Sequence, residues 1–221
     1  MISTSPIRAA IFDMDGLLID SEPLWDMAEL EVIASLGIDT SLRESMQDTL
    51  GLRIDMVVDL WYQLAPWSTP SRETIVKRII ERAMELVDER RPLLPGVEYA
   101  LQLCRQQNLK IGLASASPLH MQKQVLHTFN LAHYFDFLAS AEHLPYSKPH
   151  PEVYLNAAQG LDISPLRCVT LEDSVNGMIA TKAARMRSIV VPQQEFSNDP
   201  RWVLADHKLG SLQALNIEHI A

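Results

Sequence analysis

The sequence predicts an α/β fold in which a block of helices interrupts a parallel β-sheet after its first strand. A short, mostly apolar segment at residues 7–12 ends abruptly at Asp13, as expected of a strand buried on both faces. After Arg91, short apolar segments alternate with helical ones, which is typical of parallel strands joined by helical crossovers. No strand-like segment lies between Ser21 and Arg91. The two ends of the chain are therefore predicted to build one sheet.

The inserted block carries helical patterns only. Apolar residues recur at three-to-four spacing across Leu24–Leu36, behind a candidate N-cap at Ser21. Further helices are predicted after Ser41, over 54–64, and from Ser71 onward.

The alternating segments that follow complete the sheet. Strands are predicted at 110–114, 137–139, 168–171 and 188–191, with helices before and between them. We therefore expect an α/β core made of residues 1–18 and 90–221, and an all-helical cap made of residues 19–89.

Composition limits the classes of function. The chain has 221 residues, 47% of them hydrophobic, which suits a globular fold and argues against disorder. Its formal net charge of −9 argues against a nucleic-acid partner. The two cysteines, Cys104 and Cys168, are expected to be buried thiols of a reducing compartment.

Nothing in the sequence indicates export or a membrane. The first eight residues lack the basic and apolar regions of a signal peptide, and no apolar run approaches the ~20 residues that span a bilayer. We expect a cytoplasmic protein without a membrane partner, and nothing demands more than a monomer.

Charged and hydroxyl side chains follow four of the predicted strands or their connections. In a parallel sheet, the carboxyl ends of the strands meet at one edge, where ligands bind. That edge would therefore collect the following residues: Asp13, Asp15, Ser115, Lys148, Glu172 and Asp173.

The carboxylates at this edge predict a metal. Some of these carboxylates have a structural explanation: Asp15 suits an Asp-Gly turn, and Glu172 and Asp173 suit the start of a helix, where acidic residues are favoured. Asp13 has no such explanation, because the end of an apolar strand does not need a carboxylate. Converging carboxylates repel one another unless a cation lies among them. Oxygen ligands without histidine favour Mg²⁺, with Mn²⁺ or Co²⁺ as substitutes.

Ser115 and Lys148 suit an anionic substrate beside that metal. Ser117-Pro118 reads as an N-cap followed by proline at the first helical position, so a helix N-terminus would begin beside Ser115. Backbone N–H groups there favour an anion, and Lys148 adds a positive charge suited to phosphate, although a solvated lysine is the common alternative.

These residues resemble the four motifs of the haloacid-dehalogenase-like superfamily of phosphohydrolases, in the same order. The motifs are Asp13-x-Asp15-Gly16, Ser115 after an apolar strand, Lys148-Pro149, and Glu172-Asp173-Ser174. The resemblance covers essentially the whole chain and is greatest to the sugar-phosphatase and β-phosphoglucomutase branch. It implies a Rossmann-like core with a helical cap, and a phosphatase acting on small sugar or sugar-alcohol phosphates, of the 2-deoxyglucose 6-phosphate or hexitol phosphate type.

The resemblance also implies roles for individual residues. Asp13 would be the nucleophile that forms an aspartyl-phosphate, and Asp15 the general acid and base. Mg²⁺ would be held by the Asp13 carboxylate, the Asp15 backbone carbonyl and Asp173.

The remaining motif residues would hold the substrate. The resemblance implies that Ser115, the Ala116 N–H and Lys148 bind the phosphoryl oxygens. Glu172 would be a partner of Lys148 or of a metal-bound water.

Three other classes of protein share some of these residues, and each departs from this sequence at one feature. A haloacid dehalogenase needs no carboxylate at position 15. A β-phosphoglucomutase carries a cap histidine ten residues after the acid/base aspartate, where this chain has Trp25. A phospho-acceptor signalling domain of the receiver type has its aspartate in mid-chain and no cap.

The cap offers candidates for the leaving-group side of the substrate. Arg53, after Gly51-Leu52, could reach a hydroxyl or a phosphate, and is otherwise a solvated arginine. Trp25, Trp61 and Trp67 could stack on a sugar, although such residues more often form the cap's own core.

Overall fold

The computed structural model describes residues 6–46, 49 and 51–221. Six parallel strands form one sheet in the order β3-β2-β1-β4-β5-β6. The strands are β1 (Ala9–Phe12), β2 (Lys110–Ser115), β3 (Phe137–Ser140), β4 (Cys168–Glu172), β5 (Arg187–Val190) and β6 (His207–Lys208). This confirms the α/β fold with a parallel sheet and the five predicted strands, and adds a sixth.

The first strand lies at the centre of the sheet, which explains its composition. All four residues of β1 are buried, because helices cover both faces. Phe12, the last residue of β1, pairs with Leu113 of β2 and with Leu171 of β4. The three parallel strands therefore end within two residues of one another, and the side chains at their ends meet at one edge.

The helices number eight in the described part of the chain. They are α1 (Glu22–Ala34), α2 (Ile54–Leu64), α3 (Arg72–Arg90), α4 (Val97–Gln106), α5 (Leu119–Thr128), α6 (Glu152–Gly160), α7 (Val175–Ala183) and α8 (Ile217–Ile220). The helix predicted after Ser41 is a 3₁₀ helix, Thr40–Ser45, whose first turn is capped by the Asp39 carboxylate. The helix predicted from Ser71 onward is α3, and the Ser71 hydroxyl caps it by accepting from the Thr74 N–H.

The three helices α1, α2 and α3 pack on one another and hold the apolar side chains of the insertion. Trp61, Ile75 and Ile79 are fully buried there. Two chain segments connect this unit to the sheet, and they run side by side: the Asp20 N–H donates to the Pro92 carbonyl, and the Leu94 N–H donates to the Leu18 carbonyl. The cap boundaries at 18–19 and 89–90 stay a prediction, and these paired segments are consistent with them.

The sixth strand was missed because it has only two residues, too few for any periodicity. It extends the sheet beyond β5 through the pairs Ile189–His207 and Val190–Lys208. Both cysteines are buried free thiols, as predicted, and burial raises the pKa of each to about 12. Among the described residues, no helix is both long and apolar enough to cross a membrane.

Candidate active site

A cavity of about 860 Å³ lies between the carboxyl edge of the sheet and the cap helices. Five predicted site residues line its floor: Asp13, Asp15, Ser115, Ala116 and Lys148. Side chains of α1, α2 and α3 line the opposite wall. The topology therefore brings residues separated by more than a hundred positions to one site.

Asp13 and Lys148 form a buried ion pair at the centre of the floor. The Lys148 Nζ lies 2.8 Å from Asp13 Oδ1 and also donates to Glu172 Oε1. Lys148 is 1% exposed and Asp13 is 3% exposed. Lys148 is thus not a solvated surface lysine, because both of its charged partners are buried with it.

Glu172 is held by donors on both carboxylate oxygens. Oε1 accepts from Lys148 and from the Tyr154 hydroxyl, while Oε2 accepts from the Asp173 and Ser174 N–H groups and from the Ser174 hydroxyl. A Cβ at Gly177 would lie 1.8 Å from Oε1, so only glycine admits this carboxylate. Tyr154 was not predicted, since a tyrosine inside a helical pattern gives no sequence signal.

Asp173 differs from its neighbour in having no donors. Both of its carboxylate oxygens are buried, and neither accepts a hydrogen bond from a residue that the structure describes. Gly16, at φ +74°, allows this carboxylate to approach the loop after β1, because a Cβ there would lie 2.0 Å from Asp173 Oδ2. A buried carboxylate without donors is costly unless a cation binds it.

The electrostatics of the floor fit such a cation. Oxygens of Asp13, Glu172 and Asp173 all lie within 4.8 Å of one another. Burial, then the charge of Glu172, raises the pKa of Asp13 to about 8, although Lys148 opposes the shift. Burial and the charges of Glu172 and Asp13 also hold the pKa of Asp173 well above its usual value. Without a cation the carboxyl groups of Asp13 and Asp173 therefore favour protonation, and a divalent cation would stabilise both as carboxylates.

Asp15 is bound from both sides of the cavity. Its Oδ2 accepts from the Ser117 hydroxyl at 2.7 Å and from the Ser115 hydroxyl at 3.2 Å. Its Oδ1 accepts from the Ser21 hydroxyl at 2.7 Å and from Trp25 Nε1 at 2.9 Å. Ser115 is the last residue of β2 and Ser117 follows it, whereas Ser21 and Trp25 belong to the start of the cap.

The predicted N-cap position of Ser21 is confirmed, whereas the predicted cap at Ser117 is wrong. Ser21 occupies the N-cap position of α1 and Ser117 precedes α5, but neither side chain caps its helix, and the N-cap of α5 is Pro118. Each hydroxyl instead donates to Asp15. A serine at a helix start predicted a cap, and only the folded chain shows that a carboxylate competes for its hydroxyl.

Arg53 lines the cavity, and its guanidinium is engaged by protein acceptors, so it is not the solvated arginine of the second alternative. Its Nε and Nη2 bind the carboxylate of Asp55, while Nη1 donates to the carbonyls of Ala141 and Leu144 at 2.6 and 2.7 Å. It therefore connects the start of α2 to a loop of the core.

The three tryptophans considered as sugar-stacking residues occupy different environments. Trp61 is fully buried within the cap, and Trp67 donates to the Pro70 carbonyl, as expected of structural residues. Of the three, Trp25 alone lines the cavity, and its indole N–H is engaged with Asp15.

Fold and site together define a hydrolase. Residues 7–185 match the family model described as haloacid dehalogenase-like hydrolase, so the chain belongs to that family. The resemblance drawn from the four motifs is thereby confirmed, and the chain is an enzyme.

Within this family, the chain is similar to several sugar-phosphate enzymes. The chain is 66% identical over 220 residues to hexitol phosphatase B of Escherichia coli strain K12, covering 100% of this chain and 99% of that protein. It is 32% identical to the phosphorylated carbohydrates phosphatase of Thermotoga maritima, over 83% of this chain and 84% of that one. Among solved structures, a β-phosphoglucomutase from Clostridium difficile matches with a TM-score of 0.82 at 31% identity, covering 97% of this chain and 95% of that one.

Proposed function

We propose that the chain is a Mg²⁺-dependent phosphatase that hydrolyses the phosphate esters of small sugar alcohols, with hexitol phosphates as its main substrates. The observation that carries this proposal is a buried Asp13–Lys148 ion pair beside Asp173, whose two carboxylate oxygens accept no hydrogen bond from the part of the chain that the structure describes. The 66% identity to a hexitol phosphatase supports the substrate class.

Asp13 and Asp173 fit the magnesium ion, with the Asp15 backbone carbonyl as a further ligand. Glu172 is better suited to positioning Lys148, because both of its oxygens already accept from protein donors. When bound, the ion would offset the repulsion between the carboxylates and an incoming phosphate.

The proposed reaction has two steps on this chain's own residues. In the first, an oxygen of Asp13 bonds to phosphorus, the bond from phosphorus to the alkoxide oxygen breaks, and Asp15 gives its proton to that oxygen. In the second, water attacks the aspartyl-phosphate and Asp15 takes a proton from it. Inorganic phosphate leaves and the Asp13 carboxylate is restored.

Ser115, the Ala116 N–H and Lys148 would bind the phosphoryl oxygens during both steps. Ser115 is fully buried beside Asp15, and Lys148 lies against Asp13, so donors flank the proposed nucleophile. Donors that are already in place stabilise charge without reorganisation as the reaction proceeds.

A mutase-like phosphotransferase is the second candidate, favoured by the structural match to a β-phosphoglucomutase. It differs in outcome, since a mutase would return the phosphate to an organic acceptor. A receiver-like phospho-acceptor is disfavoured, because the chain belongs to a hydrolase family.

The test is phosphate release from a panel of hexitol, pentitol and hexose phosphates, with EDTA and with Mg²⁺ restored. We expect steady release of inorganic phosphate that stops with EDTA and returns with Mg²⁺, and no release by Asp13→Asn protein. Isomerisation of a hexose phosphate without phosphate release would instead support the mutase, and full turnover in EDTA would exclude the proposed metal site.

We also propose that the protein works as a cytoplasmic monomer, as its sequence predicts. Size-exclusion chromatography with light scattering tests the oligomeric state, and a mass of twice the chain's 24.9 kDa would contradict it.

A further inference from the structure

The cap wall of the cavity is built largely on one face of α1. Glu22, Trp25, Asp26 and Glu29 all line the cavity, at the three-and-four spacing that places residues on one side of a helix. Trp25 contacts Asp15, so this end of the face lies beside the proposed acid/base group. Glu29 lies one turn further along, about 6 Å at 1.5 Å per residue.

Glu29 is the buried carboxylate of this face of α1. It is 4% exposed, and its Oε1 accepts from the Trp61 indole N–H at 2.7 Å. The Nε of Arg43 lies 3.0 Å from the same oxygen. No donor within the described ranges reaches Oε2, which leaves one acceptor of this carboxylate open to the cavity.

Arg43 leaves a donor beside that acceptor. Its Nη2 donates to the Thr49 hydroxyl at 2.9 Å and to Asp26 at 3.2 Å, and its Nε faces Glu29. Its Nη1 has no acceptor among residues 6–46, 49 and 51–221. Among the described residues, the wall thus presents Glu29 Oε2 as an unpaired acceptor and Arg43 Nη1 as an unpaired donor. Trp61 holds the Glu29 side chain, and Thr49 and Asp26 hold the Arg43 side chain.

A neighbouring donor and acceptor match the hydroxyl groups of a polyol, because each hydroxyl both donates and accepts. The charge of the wall also favours a neutral group over a second phosphate, since its acidic side chains outnumber its basic ones. The acidic residues lining the cap side are Glu22, Asp26, Glu29, Asp55, Asp59, Glu73 and Glu81, and the basic ones are Arg43, Arg53, Arg72 and Lys77.

We propose that Glu29 and Arg43 form a subsite that binds the hydroxyl groups at the far end of an open-chain polyol phosphate. This rests on the proposed function, whose substrate class it makes more specific. The phosphate would lie at Asp13 and Lys148, the ester oxygen near Asp15 and Trp25, and the distal carbons along α1 toward Glu29. The subsite therefore selects for chain length, and short esters do not reach it.

The experiment measures kcat/KM for a series of substrates that differ only in length: glycerol 3-phosphate, a tetritol phosphate, a pentitol phosphate and a hexitol phosphate, with an aryl phosphate as a substrate without hydroxyls. Glu29→Gln keeps an oxygen for Trp61 but loses the charge, and Arg43→Met loses the donors. We expect each to lower kcat/KM for the hexitol phosphate at least about tenfold, mainly through KM, and for glycerol 3-phosphate and the aryl phosphate by less than about twofold.

The cap provides a matched control on the same helix. Glu31 of α1 pairs with Arg82 of α3 at 2.7 Å, and neither lines the cavity. Glu31→Gln and Arg82→Met should change none of the substrates selectively. Activity on the aryl phosphate verifies that each variant is folded, and Arg43→Met, at a side chain 25% exposed, replaces Glu29→Gln if the latter fails to fold.

The outcomes are distinct. A loss that grows with chain length supports the subsite, whereas equal losses on long and short substrates would overturn it and leave the proposed function intact. If the native protein releases phosphate from other esters but from no polyol phosphate, both proposals fall together.

Discussion

The floor and the cap wall of the cavity are both rich in charge, but they hold their charges differently. On the floor, Glu172 accepts from two backbone N–H groups as well as from side chains, and Lys148 is 1% exposed. On the wall, Arg43 is held by side chains alone, and its partner Asp26 is 58% exposed.

This difference suits the floor to catalysis and the wall to substrate selection. Groups fixed by the backbone at strand exits keep their geometry whatever the leaving group is, which suits the transfer of phosphate. Side chains carried on helices can be exchanged with less disturbance, which suits recognition of the leaving group. We expect substitutions on the floor to affect every substrate, and substitutions of wall residues that make no contact with the core to affect only some substrates.

The largest effect is expected for Asp13→Asn. The amide is a poor nucleophile and a poorer metal ligand, so kcat should fall by at least about 10⁴-fold for every substrate, with glycerol and aryl phosphates included. Initial-rate assays across the length series measure it. A loss confined to long substrates would place Asp13 in recognition, and would remove the distinction between floor and wall.

The next effect is expected for Asp15→Asn, which keeps the nucleophile but loses the proton donor. Hexitol phosphate hydrolysis should fall by about 10²–10⁴-fold. An aryl phosphate needs little protonation, so it should still phosphorylate the protein, and the intermediate should accumulate. Intact mass after acid quenching should show one added phosphoryl group, mapped to the peptide containing Asp13; a label on Asp173 or Asp15 would contradict the assigned roles.

A smaller effect is expected for Trp25→Phe, at the point where wall and floor meet. The change removes the indole N–H that lies 2.9 Å from Asp15 while keeping an aromatic ring. We expect kcat for alkyl phosphates to fall by about tenfold, in line with one hydrogen bond to a charged group, and kcat for an aryl phosphate to change little. Equal losses on both would show that Trp25 acts through packing and does not position Asp15.

The smallest effect is expected for Arg53→Lys. A lysine ammonium cannot pair with Asp55 in two places and also bind the carbonyls of Ala141 and Leu144. The link from cap to core should weaken, and KM should rise about threefold for all substrates alike. Arg82→Met is again the control. An effect limited to hexitol phosphate would instead give Arg53 a direct contact with the substrate.

Much of the floor could be predicted because parallel strands impose it. Asp13, Ser115 and Asp173 each stand at or directly beyond the end of a buried strand, and parallel topology sends all such ends to one edge. Lys148 precedes a helix and was identified only as a member of this set. No sequence pattern indicates that Tyr154 reaches Glu172, because that contact depends on how α6 packs against the sheet.

The sequence by itself determined five of the six strands, the helical insertion and the residues at the strand exits, since these depend on local periodicity and on rules of connection. Only the tertiary structure decided where the side chains of the insertion point. Ser21 and Ser117 were read as helix caps, yet both donate to Asp15. Glu29 lies within the first helix of the insertion, and only the packing of α1 against its neighbours buries it beside Trp61 and Arg43. A hydroxyl or carboxylate binds whichever partner the packing of distant elements brings within reach, and local sequence does not encode that distance.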